Sequence, residues 1–307
     1  MNKNIAKKLS LLAGLSLFAF SSISALAGTP EPEPEPEPCS SNCGFERGPN
    51  PTFASLEADN GPFNVDDYSV SSFVSGFGGG TIHYPTNTTG TMGVIAVVPG
   101  YVSYERDIIW WGPRIASHGF VVITIDTNSI YDQPDSRGEQ LEAALNYAIS
   151  QSNGNSPISG MIDSSRRGVI GWSMGGGGAL NLSSEDPSIK ASIPQAPYYA
   201  GFNNFDEITT PTFIIACEND AVAPVAAHAS PYYNDIPNST PKAFLEINGG
   251  SHYCANSGNS DEDILGRWGV AWMKRFIDQD TRYSQFLCGP DHEDDFNVSE
   301  YRGTCPY

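Results

Sequence analysis

The sequence predicts an α/β fold: a mostly parallel central sheet with helices on both faces and no large lid. Three observations carry this. Short, continuously apolar runs recur at 94–98, 120–125, 169–172, 189–193, 213–217 and 244–247, and strands buried on both faces read this way. Stretches with helical spacing separate them, as crossovers between parallel strands require. One of these strands runs straight into a glycine-rich turn and a helix, at Gly171-Trp172-Ser173-Met174-Gly175.

The elements follow in chain order. Lys3, Lys7 and Lys8, the apolar stretch Leu9 to Phe20 and the small residues Ala25-Leu26-Ala27 make residues 1–27 a secretory signal peptide. The apolar run is short for a membrane span and no cysteine follows the cleavage site directly, so no membrane anchor is expected. Residues 28–43 hold the run P-E-P-E-P-E-P-E-P and a short segment with Cys39 and Cys43. Alternating proline and glutamate make an extended spacer with nothing to bury. Residues 44–307 read as one catalytic domain.

Within that domain, Tyr68 to Tyr84 alternates, is rich in glycine and predicts antiparallel strands at the start of the sheet. The strand at 94–98 ends in Pro99-Gly100 and leads to a helix over about 104–117, then to the strand at 120–125. Leu141, Leu145 and Ile149 share one face of a helix over 139–149. The strand at 169–172 precedes a helix over 174–183, and three more strands follow. The last helix, over about 261–277, has acids at its start and Lys274 and Arg275 near its end, matching the helix dipole.

The formal charge is −19, and loss of the leader with its three lysines makes it −22. A surface this acidic repels nucleic acid and anionic membranes. The expectation is an extracellular or periplasmic monomer without cofactor or metal. Its six cysteines, Cys39, Cys43, Cys217, Cys254, Cys288 and Cys305, form an even set in an oxidising compartment and point to disulfides, with fifteen pairings open. Zinc is the rival for Cys39 and Cys43, disfavoured because no second pair lies at metal spacing. The acids from Asp291 to Asp295 are read as a solvated tail and not a calcium site.

Gly171 to Gly175 has the form G-x-S-x-G between a strand and a helix, which puts Ser173 on a strained turn at a helix N-terminus as a candidate nucleophile. That chemistry needs an acid and then a histidine later in the chain. Asp220 follows the strand at 213–217, and His252 follows the strand at 244–247 and the turn Asn248-Gly249-Gly250-Ser251. His252 would take the serine proton and Asp220 would orient it. Glu218 lies nearer the strand and is expected to point away. Asp126 precedes Ser173, the wrong order; His118 reads as a satisfied turn histidine, and His83, His228 and His292 have no strand-end context. The backbone amides of Met174 and Tyr101 are the candidate oxyanion donors. Tyr101, Trp172, Met174, Tyr198 and Val222 would line a shallow apolar groove for acyl or aromatic ester units. A bridge between Cys217 and Cys254 would staple the acid loop to the base loop. One between Cys288 and Cys305 would tie down the tail, and one between Cys39 and Cys43 would close a small local loop.

These segments resemble the bacterial polyester hydrolases, the cutinase-like family that includes PET hydrolases. The resemblance is carried by P-G-Y at 99–101, G-W-S-M-G-G-G-G at 171–178, Q-A-P at 195–197 and C-E-N-D at 217–220. It continues with F-L-E-I-N-G-G-S-H at 244–252, C-A-N-S-G-N-S at 254–260 and V-A-W-M-K-R-F at 270–276. It implies an α/β-hydrolase fold, the triad Ser173, Asp220 and His252, an oxyanion hole at Tyr101 and Met174, and disulfides Cys217–Cys254 and Cys288–Cys305. It also implies a secreted serine hydrolase that cleaves polyester carboxylic esters through an acyl-enzyme. A general lipase or esterase for triglycerides and short acyl esters is the alternative. Two positions depart from the pattern. Tyr198 stands where the family usually has a ring-clamping Trp, and Tyr253 is bulky where the most PET-adapted members are small.

Overall fold

The computed structural model describes residues 45–201, 204–288 and 295–307. The leader, the spacer, Cys39, Cys43 and His292 lie outside the described residues, as do the acids at 291–294. Nine strands form one sheet: β1 (Val65–Val70), β2 (Gly80–Pro85), β3 (Met92–Val98), β4 (Val121–Ile125), β5 (Ile162–Trp172), β6 (Ile189–Gln195), β7 (Thr212–Cys217), β8 (Lys242–Ile247) and β9 (Val298–Gly303). Their order is β1-β2-β4-β3-β5-β6-β7-β8-β9. The six from β4 to β8 pair in parallel, while β1, β2 and β9 pair antiparallel at the two edges.

Alternate residues of each central strand feed opposite cores, which is why the runs are apolar throughout. Ile95 and Val97 of β3, with Phe213 and Ile215 of β7, face one core, built with helices α2 (Trp111–Ala116) and α6 (Glu262–Phe276). Val94, Ala96 and Val98 face the other, under α3 (Pro134–Ser152) and α4 (Met174–Glu185). A third cluster seats α5 (Ala229–Asp235) on Ile214 and Phe244. The remaining helix, α1 (Phe53–Glu57), packs on α6.

The helix expected over 104–117 is instead a 3-10 turn, Glu105–Asp107, followed by the shorter α2. Pro113 explains the break: a helix running from 104 would put its ring against the carbonyl of residue 109. The side chain of Asp107 ties the turn back by accepting from the Tyr104 amide at 2.9 Å and from the Ser103 hydroxyl. Helix α3 is longer than expected because Pro134 opens it at a first-turn position, where its missing N–H costs nothing. β9, α1 and α5 had no expected counterpart. β9 is held as an edge by antiparallel pairing with β8 and by the Cys288–Cys305 disulfide (Cα–Cα 5.7 Å).

Two histidines outside the later site are buried: His83 beside Thr124, and His118, whose Nε2 has no partner among the described residues. His118 is therefore not the satisfied turn residue expected from the sequence. Burial pushes the His83 imidazole down to about 4. Burial, helped by the charges of Arg114 and Lys274, pushes His118 down to about 3. Both rings are neutral when folded, whereas the unfolded chain protonates them below about pH 6.5. Between those values the unfolded state binds more protons, so lowering the pH weakens the fold by about 1.4 kcal/mol per unit per histidine. A His118→Gln variant should therefore lose less on acidification: between about pH 7 and pH 5 its Tm should fall about 5 °C less than that of the parent. Parallel Tm–pH curves for the two proteins would refute the assignment.

Candidate active site

Ser173 sits between β5 and α4 with φ 58° and ψ −121°, a region that costs a non-glycine residue roughly 1–3 kcal/mol. The turn is tight enough that a Cβ at Gly171 would lie 2.0 Å from the Gly175 carbonyl oxygen. Two strands of support hold the strained residue. Its N–H donates to the Gln195 carbonyl at 2.8 Å, and its own carbonyl accepts from the Tyr198 amide at 2.9 Å. The segment Gln195 to Tyr198 is thus fastened to Ser173 from both sides.

His252 Nε2 lies 2.9 Å from Ser173 Oγ, and His252 Nδ1 lies 2.7 Å from Asp220 Oδ2. All three side chains are buried. The other Asp220 oxygen accepts the amides of Val222 at 2.8 Å and Ala223 at 2.7 Å. Burial pushes the Asp220 carboxyl up, but His252 and those two amides outweigh it and hold the group below its ordinary range. The arrangement can carry a proton from the serine to the imidazole while an ionised carboxylate balances the charge.

The acid and base loops are joined at several points. Glu218 donates its amide to Ile247, and Asn219 donates to Gly250 at 2.7 Å. The Glu218 carboxylate accepts the Gly249 amide at 2.7 Å. The Cys217–Cys254 disulfide spans the same two loops with Cα atoms 6.2 Å apart. Trp172 is almost fully buried, and its Nε1–H donates to the His252 carbonyl at 2.8 Å. It lines the cleft and also fastens the His252 backbone.

Pro99-Gly100-Tyr101 lies against Ser173, so close that a Cβ at Gly100 would be 2.8 Å from Ser173 Cβ. Arg137 anchors this loop by donating to the Pro99 carbonyl at 2.9 Å, and the Val102 amide donates to Ile130. Met174 is the first residue of α4, where helical N–H groups have no partner within the helix. A cleft of about 690 Å³ opens above Ser173, and Tyr101, Met174, Tyr198, Val222 and Tyr253 all line it. Tyr101, Val222 and Tyr253 are 44 %, 55 % and 56 % exposed, so the rim is apolar and open.

Other residues at the site escaped the sequence reading. His228 was set aside for lack of a strand-end context, yet its ring lies 4.8 Å from that of Tyr198. His228 Nδ1 meets the Tyr232 hydroxyl at 2.9 Å, and that hydroxyl donates to the Tyr199 carbonyl at 3.2 Å. This holds the aromatic face of Tyr198 from behind. Ser103, Asp107 and Asn256 also line the cleft. Asp107 was hidden because the segment reads as an ordinary helix. Among the described residues no group of three or more His, Cys, Asp or Glu could hold a metal ion, and no helix is long and apolar enough to cross a membrane.

Residues 39–306 match the family model described as PET hydrolase-like. The chain is 52 % identical over 265 residues to Cutinase 1 of Thermobifida cellulosilytica, covering 86 % of this chain and 98 % of that protein. It is also 52 % identical to the cutinase of Thermobifida fusca, strain YX, over 86 % of each chain. A bis(hydroxyethyl) terephthalate hydrolase of Streptomyces coelicolor is 49 % identical, with 86 % of this chain and 83 % of that protein covered.

The Cys217–Cys254 bridge closes a loop with a sequence separation of 37. Chain-entropy arithmetic for such a loop gives about 4 kcal/mol, which for a domain of this size corresponds to about 10 °C in Tm. The Cys217→Ala/Cys254→Ala double variant should melt lower by that amount in calorimetry. An unchanged melting temperature would show that the bridge adds nothing to the hydrogen bonds already joining the loops.

Proposed function

The chain belongs to the PET hydrolase-like family, and from that premise we propose that it is a serine hydrolase of polyester carboxylic esters. Ester hydrolysis follows from the family, and the relatives named cutinase and bis(hydroxyethyl) terephthalate hydrolase support polyester-type substrates. The observation that carries the mechanism is the continuous hydrogen-bonded series Ser173–His252–Asp220 at the floor of an apolar cleft.

In this reading Ser173 Oγ attacks the ester carbonyl as its proton passes to His252 Nε2. The amides of Tyr101 and Met174 receive the developing oxyanion, each donor contributing roughly 3 kcal/mol to lowering the barrier. His252 then protonates the leaving alcohol, and an acyl-enzyme remains. Water, deprotonated by the same histidine, attacks the acyl carbonyl and releases the carboxylic acid and free Ser173. Tyr101, Tyr198 and Tyr253 offer ring faces and edges to an acyl or aromatic unit. Trp172 and Glu218 position the base loop and the turn before it.

The domain plan is part of the same proposal: an export leader at 1–27, a spacer at 28–43 and a catalytic domain from 44 to 307. The protein acts outside the cell or in the periplasm as a monomer. Two disulfides in the described residues support an oxidising compartment. The exposed apolar rim favours polymer over the alternative of a general lipase or esterase, because it presents an open face to a chain held in a solid.

Purified protein should release soluble product from PET film as well as hydrolyse tributyrin, and Ser173→Ala should lose both activities by at least about 10⁴-fold. Activity confined to tributyrin would leave the lipase alternative standing, and full activity in the variant would remove Ser173 from the mechanism.

A further inference from the structure

A second cleft, of about 720 Å³, opens beside α2 and shares no lining residue with the cleft above Ser173. Buried His83 of β2 lies at its floor, and Asp67 of β1, its cross-strand partner, lines it too. Residues opposite one another in an antiparallel pair share a face of the sheet. Helix α2 lies directly on the imidazole, since a Cβ at Gly112 would be 2.3 Å from His83 Cδ2. That close approach brings Trp110, the residue before α2, to the wall of the same cleft.

The wall is aromatic and the rim is polar. The Trp110 indole is half-buried, stacks on Trp111 with ring centres 4.1 Å apart and donates its Nε1–H to the Ala255 carbonyl at 2.9 Å. Those contacts hold it in one orientation. Phe63 adds a second ring, and the exposed side chains of Asn60, Asn64 and Asp67 stand around the two with no hydrogen-bond partner among the described residues. Past Trp110 the cleft runs on into a smaller one of about 230 Å³ that shares Asn60, Trp110 and Pro113 with it. There the Arg114 guanidinium is taken by the Leu56 and Ala58 carbonyls and faces the charges of Asp59, Asp263 and Glu262. Neither part offers a free cation.

These groups select a chemistry. An anion meets Asp67 with nothing to offset the repulsion. A simple organic cation uses acceptors alone and leaves the amide N–H groups of Asn60 and Asn64 without a task. A hydroxyl both donates and accepts, which amides, an imidazole and a carboxylate can all answer, and the C–H face of a sugar ring covers an indole. The continuous course past Trp110 suits a chain of such rings. We propose that this cleft is a second binding site, for a neutral polysaccharide chain, with Trp110 as the platform and Asn60, Asn64, Asp67 and His83 as the hydroxyl partners. It holds the protein on carbohydrate while the cleft above Ser173 remains free, and it stands whether or not the ester-hydrolase reading does.

The test measures binding of the full mature protein to cellohexaose, xylohexaose and mannohexaose by calorimetry, with Ser173→Ala run in parallel. At least one of the three should bind, and equally well in Ser173→Ala. Trp110→Ala should weaken that binding by at least about 30-fold, as loss of a central aromatic anchor does. Trp110→Phe, which keeps a ring face, should stay within about threefold. Because Trp110 also holds the loop after His252, the Asn64→Ala/Asp67→Ala variant supplies a check that leaves that loop alone. It should bind about tenfold more weakly, with unchanged turnover of p-nitrophenyl butyrate. Binding of none of the three sugars, or binding that survives either the Trp110→Ala or the double change, overturns the proposal. Tighter binding of tetramethylammonium than of any sugar would make this a cation site and overturns it as well. So does competitive inhibition of ester hydrolysis by the bound sugar, which would put the sugar in the cleft above Ser173.

Discussion

Everything at the site hangs on the backbone of Ser173. A positive φ of 58° at a residue with a side chain is unfavourable in isolation, and it persists only because the surroundings over-determine it. Strand β5 delivers the chain into the turn, α4 carries it away, and the Q-A-P loop grips both backbone groups of the serine. The result lifts the hydroxyl out of the sheet into the cleft, with the first amide of α4 beside it. The same grip fixes Tyr198, whose amide is one of the two bonds. Ser173 and the Tyr198 wall of the cleft are therefore set by one local constraint.

Asp220 and His252 depend on a different device. Asp220 and His252 come from neighbouring parallel strands, β7 and β8, whose ends are adjacent in the sheet. Adjacency alone leaves two loops free to move. Here they are crossed by backbone hydrogen bonds, by the Glu218 carboxylate on Gly249 and by a disulfide. Trp172, one residue before the nucleophile, holds the His252 carbonyl. Its indole links the strand that leads into Ser173 to the loop that carries His252.

Much of this was legible in the sequence, for physical reasons that also mark where legibility stops. The central strands are buried on both faces, so they announce themselves as unbroken apolar runs, and the order Ser173, Asp220, His252 follows from which strand ends must meet. The edges were harder. β9 has Ser299 and Glu300 exposed and no buried residue and depends on pairing with β8, which no local signal records. The segment at 104–117 has helical composition, but Pro113 and the Asp107 cap divide it. That division is what places Asp107 in the cleft. His228 carries no strand-end signal because it packs against the Tyr198 ring, a contact between segments 30 residues apart that local sequence does not record. The hydrogen bond that the Glu218 carboxylate accepts from Gly249 is visible only once β7 and β8 lie side by side.

The central claim is that Ser173, activated by His252, becomes covalently acylated. The most direct measurement is trapping with an alkyl p-nitrophenyl phosphonate, followed by intact mass and peptide mapping. The account predicts one phosphonyl group per chain, located on Ser173. It also predicts that His252→Ala slows labelling by at least about 10³-fold while the fold is retained. Stoichiometric labelling at another residue, or labelling of Ser173 that is indifferent to the loss of His252, would contradict it.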